Sequence, residues 1–270
     1  MTALLEAKGL TVSYGGLNAN DNVDLAVTKG TVCGLIGPNG AGKTTFIDAI
    51  TGFTPPTRGS VQFDGKDITS LSPAQRADVG LTRTFQSLEL FDDLTVWDNM
   101  LVHAERPTFA SFLTDLVRPN RRLAAAEQAE WALDVMGLHD LRDRLTLDLS
   151  HGQRKLVSVA RALASRPKVV LLDEPAAGLD TAESQMLGSH LRTFLDKDIT
   201  VFLIDHDMGL VLNVCDYIYV LDFGRIIAQG TPEQIRTDPA VIGAYLGAEA
   251  GEQQAQEGAA AAAAAAGRNH

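Results

Sequence analysis

The sequence predicts an α/β fold in three parts: a β-rich N-terminal portion forming an antiparallel subdomain, a core of buried parallel strands alternating with helices, and an inserted α-helical subdomain. Short apolar runs such as "TVCGLI", "KVVLLDE" and "TVFLID", each followed by helical spacing, are the pattern of strands buried on both faces. Between about Thr95 and Ser165 the strand signal almost disappears, which marks the insertion. A glycine-rich loop joins the first core strand to its helix, a placement that fits phosphate binding.

Taken in order, "LLEAKGLTVSYGG" and "NVDLAVTKGTVCGLIG" are strand-like runs broken at Lys29-Gly30. "KTTFIDAITGF" has helical spacing, and "PPTRGSVQFDGKDI" reads as a turn and hairpin with Asp64-Gly65 at its tip. The insertion contributes three helices, in "TVWDNMLVHAE", "RLAAAEQAEWALDVMGL" and "HGQRKLVSVARALASR", with Gly137 ending the second and Pro167 following the third. Strand and helix then alternate again: "KVVLLDEP", a helix from about Thr181 to Asp196, "TVFLIDHD", a helix near 208–215, and "YIYVLDFGRIIAQG". One domain over 1–247 results, with 1–94 and 166–247 as core and β subdomain and 95–165 as the helical part. The alanine-rich stretch 248–270 reads as a low-complexity, disordered tail.

A formal charge of −11 argues against a general nucleic-acid surface, although "RPNRR" at 118–122 forms a local basic patch. Cys33 and Cys215 lie in apolar runs and read as small core residues without a disulfide. No stretch of eighteen uncharged apolar residues occurs outside the tail and no cleavable leader opens the chain, so a cytoplasmic location is expected.

"GPNGAGKTT", spanning Gly37, Pro38, Asn39, Gly40, Ala41, Gly42, Lys43, Thr44 and Thr45, fits G-x-x-x-x-G-K-[ST] in its required strand–loop–helix context. Its glycines let backbone N–H groups turn toward phosphate oxygens, Lys43 reaches the β- and γ-phosphates, Thr44 offers a hydroxyl to Mg²⁺, and Thr45 serves the α-phosphate. "VVLLDE" supplies the complement: Asp173 as a second Mg²⁺ ligand and Glu174, on the opposite side of an extended strand, as general base for water. No guanine-reading N-K-x-D is present. The histidines form no ligand-spaced cluster, so no metal beyond Mg²⁺ is implied. Ser150 stands at a helix N-cap, with the helix beginning near Gly152, and so offers a second anion site.

"LSHGQ" at 149–153 resembles the L-S-G-G-Q signature of ATP-binding cassette (ABC) proteins, and it follows a helical region and precedes the D-E strand as that family requires. The resemblance covers roughly residues 4–247. It implies a P-loop NTPase core of the RecA-like kind, ATP and Mg²⁺ as ligands, and ATP hydrolysis as the reaction. On the same basis Tyr14 resembles the adenine-stacking aromatic, Gln86 in "RTFQ" the glutamine that senses Mg²⁺ and water, Asp180 in "AGLD" the loop that crosses to a facing subunit, and His206 the residue that contacts the γ-phosphate. Ser150, His151, Gly152 and Gln153 would close in trans over the nucleotide of a second cassette, with Gly152 admitting the phosphate and His151 lying at the cassette interface.

Further stretches, among them "RTFQSLELFDDLTVWDNM", "DEPAAGLD" and "DPAVIGAYLG", look like the ATPase subunits of branched-chain amino acid importers. That resemblance implies separate transmembrane permease subunits, a second ATPase subunit identical or paralogous, a periplasmic or lipoprotein solute-binding protein acting indirectly, and a peripheral place on the cytoplasmic face of the inner membrane. Cassettes for urea or lipopolysaccharide share much of the pattern. A soluble cassette acting in translation or DNA repair is the rival class; two cassettes or a long coiled-coil insertion would mark it, and this chain has neither.

Overall fold

A computed structural model describes residues 2–84, 90–104 and 120–246, with 120–122 as backbone alone. Gln86, the side chains of the basic stretch 118–122 and the tail 248–270 lie outside the described residues. Strands β1 (Ala3–Tyr14) and β2 (Leu17–Thr28) pair antiparallel through a two-residue Gly15-Gly16 turn, and β1 also pairs with β4 (Arg58–Phe63). With the short β5 (Lys66–Asp67) they form a four-stranded antiparallel sheet in the order β2-β1-β4-β5. Asp64 and Gly65 both take positive φ at the β4–β5 turn, as an Asp-Gly hairpin tip requires.

The second sheet has six strands: β3 (Val32–Ile36), β6 (Leu81–Arg83), β7 (Val169–Asp173), β8 (Thr200–Ile204), β9 (Tyr217–Asp222) and β10 (Arg225–Gly230). Their order is β10-β9-β3-β8-β7-β6, parallel except for the antiparallel edge strand β10. Every residue of β3, β7 and β8 is buried, which is why these strands read as unbroken apolar runs. The two faces of the sheet serve different cores. Leu171, Phe202 and Leu35 face helix α1 (Lys43–Thr51) and the antiparallel sheet, whereas Val170, Leu172 and Leu203 face the helical part.

The insertion contains α3 (Val96–Ala104), α4 (Asn120–Met136) and α5 (His151–Leu163), with 3-10 turns at His139–Leu141 and Thr146–Asp148 between α4 and α5. Gly137, at φ 61°, ends α4 as expected. Helix α5 starts one residue before the predicted Gly152, because Ser150 takes the extended N-cap conformation. Three further helices follow: α6 (Thr181–Leu195), α7 (Met208–Val214) and α8 (Pro232–Thr237), with a last helical stretch at 239–246. Cys33 and Cys215 are free and buried, and burial pushes the Cys215 thiol up to about 12. Among the described residues no helix is long and apolar enough to cross a membrane.

Helix α2 (Pro73–Asp78) has no counterpart in the sequence reading, and it carries Arg76, which is 1% exposed. The Arg76 guanidinium donates to the carbonyls of Ala49 and Ile50 at 2.8 and 2.7 Å, and to those of Leu71 and Thr69 at 3.1 and 2.7 Å. A cation thus meets the negative end of the helix that begins at the glycine loop. Arg76→Met keeps much of the buried stem but strands four carbonyls. It is expected to lower unfolding free energy by about 3 kcal/mol, seen as a reduced urea midpoint at unchanged slope.

Candidate functional site

Four predicted motifs follow the carboxyl ends of adjacent strands. The glycine loop follows β3, His206 follows β8, Glu174 follows β7, and Gln86, outside the described residues, is three positions past β6. Since β3, β8, β7 and β6 are neighbours in one parallel sheet, the topology gathers residues 37–45, 173–174 and 205–206 at one edge.

The loop is braced from outside as well as curled from within. A β-carbon at Gly37 would sit 2.0 Å from the Leu221 carbonyl oxygen, and one at Gly42 would sit 2.3 Å from that of Ala19. Gly40 meets nothing within 4 Å, so its φ of 79° alone accounts for it. The fully buried Asn20 donates from its side-chain amide to the Gly42 carbonyl at 3.1 Å, and Gly224 N–H donates to Ala41 at 2.8 Å. Lys43, 8% exposed, donates to the carbonyls of Gly37 (2.6 Å) and Pro38 (3.0 Å). Burial holds its ammonium below the usual lysine range, opposed by the charges of Glu174, Asp173 and Asp205. Thr44 is exposed at the first turn of α1 and Thr45 half-buried beside it.

Asp173 ends β7 and pairs through Oδ2 with Arg83 at 2.7 Å. The same guanidinium reaches Asp48 on α1 at 2.5 Å, tying the loop's helix to the acidic strand. Glu174 corrects the extended geometry expected of it: φ is +48°, a left-handed conformation. Its side chain is therefore placed by a turn and not by strand alternation, and it stands 3.8 Å from His206 Nδ1. Its N–H donates to the Ile204 carbonyl at 2.7 Å, which fastens the turn to β8.

Asp205, fully buried, is a site residue that the sequence reading missed. Its Oδ1 accepts from the N–H groups of His206 (2.8 Å) and Asp207 (3.0 Å), and its Oδ2 from Ala176 N–H (3.1 Å). One carboxylate thereby locks the histidine turn to the turn after Glu174. The only sequence signal was an acidic residue directly after an apolar strand.

At the signature, Ser150 Oγ accepts from Gln153 N–H at 3.2 Å, while Gln153 Oε1 accepts from Ser150 N–H at 3.0 Å. This reciprocal capping box gives Gln153 an intrachain task. Gly152 has an intrachain reason for lacking a side chain as well: a β-carbon there would collide with Glu183 Oε1, so the glycine makes room for α6 of its own chain. His151 is exposed, and its Nε2 would be 3.1 Å from a β-carbon at Gly178. Asp180 caps α6, accepting from Glu183 N–H at 2.8 Å. Tyr14, at the tip of the β1–β2 hairpin whose Asn20 braces Gly42, is 54% exposed and so presents an open ring face.

The family model described as ABC transporter matches residues 20–177, and that of the branched-chain amino acid ATP-binding cassette transporter matches residues 225–251. The chain belongs to the ABC transporter family. The cassette is 41% identical to the high-affinity branched-chain amino acid transport ATP-binding protein BraF of Pseudomonas aeruginosa, and 39% identical to LivG of Escherichia coli. Each match covers 90% of this cassette and 98% of the relative. A nucleotide-free ATP-binding cassette from an ABC transporter superposes with a TM-score of 0.79 at 34% identity, covering 90% of this chain and 99% of that one. A cassette solved in its ADP conformation gives 0.81 at 35%, covering 92% and 100%. The cassette is an ATPase, and its parallel sheet, antiparallel β subdomain and helical part are those of the P-loop fold predicted for it.

Among the described residues the site has a hard oxygen donor set, the Thr44 hydroxyl and the Asp173 carboxylate, beside the phosphate loop. That set is too small to cage a cation alone, and it suits Mg²⁺, which keeps waters and takes its remaining ligands from nucleotide phosphates.

Proposed function

We propose that this cassette powers the import of branched-chain or related amino acids through separate permease subunits, from the cytoplasmic face of the membrane. The names of its curated relatives and the branched-chain model's match at 225–251 support this solute class over urea or lipopolysaccharide. The observation that carries the catalytic reading is the convergence of Lys43, Asp173, Glu174 and His206 at the carboxyl ends of three adjacent strands.

On that reading Lys43 leaves the Gly37 and Pro38 carbonyls for the β- and γ-phosphates, where its charge offsets charge growing on the transferred group. Glu174 takes a proton from the attacking water, and His206, held by Asp205 through its backbone, positions the γ-phosphate end. When bound through Thr44, Asp173 and Gln86, Mg²⁺ supplies further charge neutralisation. Tyr14 stacks on adenine. Ser150 and its helix N-terminus close over the nucleotide of a facing cassette, and Asp180 crosses at the same contact. The dimeric structure of a bacterial ABC transporter cassette, 25% identical with a TM-score of 0.69, supports such pairing.

Purification from native membranes tests the assignment. Two hydrophobic permeases and a solute-binding protein should accompany the cassette, and leucine, isoleucine or valine with that binding protein should stimulate ATP hydrolysis in reconstituted vesicles. Stimulation by urea alone, or recovery with ribosomes or DNA, defeats it.

A further inference from the structure

Lys155 lies one helical turn into α5, is 7% exposed, and spends its ammonium on a main-chain carbonyl, that of Glu174, at 3.1 Å. Among the described residues no carboxylate comes within 4.0 Å of it, although Asp205 and Glu174 lie in its field. Desolvating an ammonium without a close counter-ion is costly, and a methionine would fill the same space more cheaply. Packing therefore does not account for this side chain. What it touches is the residue with the most unusual backbone in the site: a left-handed conformation at a glutamate is strained and persists only where its surroundings fix it. The Ile204 carbonyl holds Glu174 by its N–H, and Lys155 holds it by its C=O.

The contact does not stand alone. Two other residues of the first turn of α5 press on the same stretch: Gly152 receives the Glu183 carboxylate and His151 covers Gly178. The 174–183 segment is thus fitted to the signature helix along its length, and Lys155 is the one link that ends on the proposed base. We propose that Lys155 is a positioning residue, which fixes the Glu174 turn from the signature helix and so joins the base of this chain's own site to the element that caps the facing subunit's nucleotide. The inference rests on Glu174 being the base.

Three full-chain variants test it: Lys155→Met, Lys155→Arg and Glu174→Gln, each measured for kcat, KM for ATP, binding of a fluorescent ATP analogue and thermal midpoint. Lys155→Met should lower kcat about 10-fold with KM, analogue affinity and midpoint held or the midpoint raised, and Lys155→Arg should recover part of the loss. Unchanged kcat in Lys155→Met, with turnover abolished in Glu174→Gln, overturns the proposal alone. A fall in kcat matched by losses of midpoint and affinity also overturns it, since that is the mark of packing. Turnover surviving in Glu174→Gln defeats the reading of the base, and the proposal with it.

Discussion

Glu174→Gln is expected to lower steady-state ATP hydrolysis by at least about 100-fold, the lower bound of what a positioned general base contributes, while ATP binding stays within about 2-fold of the parent. The substitution changes one oxygen for a nitrogen at a side chain that is mostly buried and 3.8 Å from His206. It leaves the left-handed turn intact, because that turn is held by main-chain groups: the Glu174 N–H on Ile204, and the Glu174 carbonyl under Lys155 and the N–H of Ala177. On the proposed reading the substitution takes away the proton acceptor. Nucleotide is gripped, on that same reading, by the 37–45 backbone and Lys43, whose contacts with the Gly37 and Pro38 carbonyls the substitution leaves in place, so ATP should accumulate uncleaved and keep paired cassettes together. Gel filtration with Mg²⁺-ATP should show a persistent dimer where the parent returns to monomer. Turnover within about 3-fold of the parent would remove Glu174 from the base role.

The parts of this molecule that repeat a local rule were legible in the sequence. Strands β3, β7 and β8 are buried on both faces and so are written as unbroken apolar runs, and the glycine loop shows itself by spacing. What escaped depends on contacts between residues far apart in the chain. Arg76 closes the end of a helix some 26 residues earlier, and nothing near it in sequence says that an arginine will be buried. Asp205 and Lys155 act on main-chain groups of residues 174–176, which no periodicity encodes. The conformation of Glu174 was misread for a related reason: strand alternation was carried one residue too far, past the point where β7 ends and the turn toward Asp205 begins. Gly152 shows the same limit. Its spacing within the motif marked it as special, but the Glu183 carboxylate that occupies its empty side lies 31 residues on.

Lys43→Ala is expected to weaken ATP binding by about 10- to 100-fold, the span of a charge-assisted hydrogen bond worth about 1.5–3 kcal/mol, with hydrolysis falling at least in proportion. The ammonium lies on the Gly37 and Pro38 carbonyls, so contact with phosphate exchanges these two acceptors for phosphate oxygens. That exchange sets the sign of the effect on the free protein. Removing the side chain relieves the burial penalty on the ammonium but strands the Gly37 carbonyl, while the Pro38 carbonyl keeps the Ala41 N–H at 3.2 Å, and the two changes offset one another. Stability without ligand should therefore change little, while the ATP-dependent part of the stability should collapse. At a nucleotide concentration about 100 times the parent's dissociation constant, ATP should add about 2.7 kcal/mol to the parent, and a variant bound 100-fold more weakly would gain less than about 0.5 kcal/mol. Thermal midpoints with and without ATP separate these cases. An ATP-induced shift equal to the parent's would mean that the loop backbone alone carries the affinity, and would take Lys43 out of the phosphate contacts.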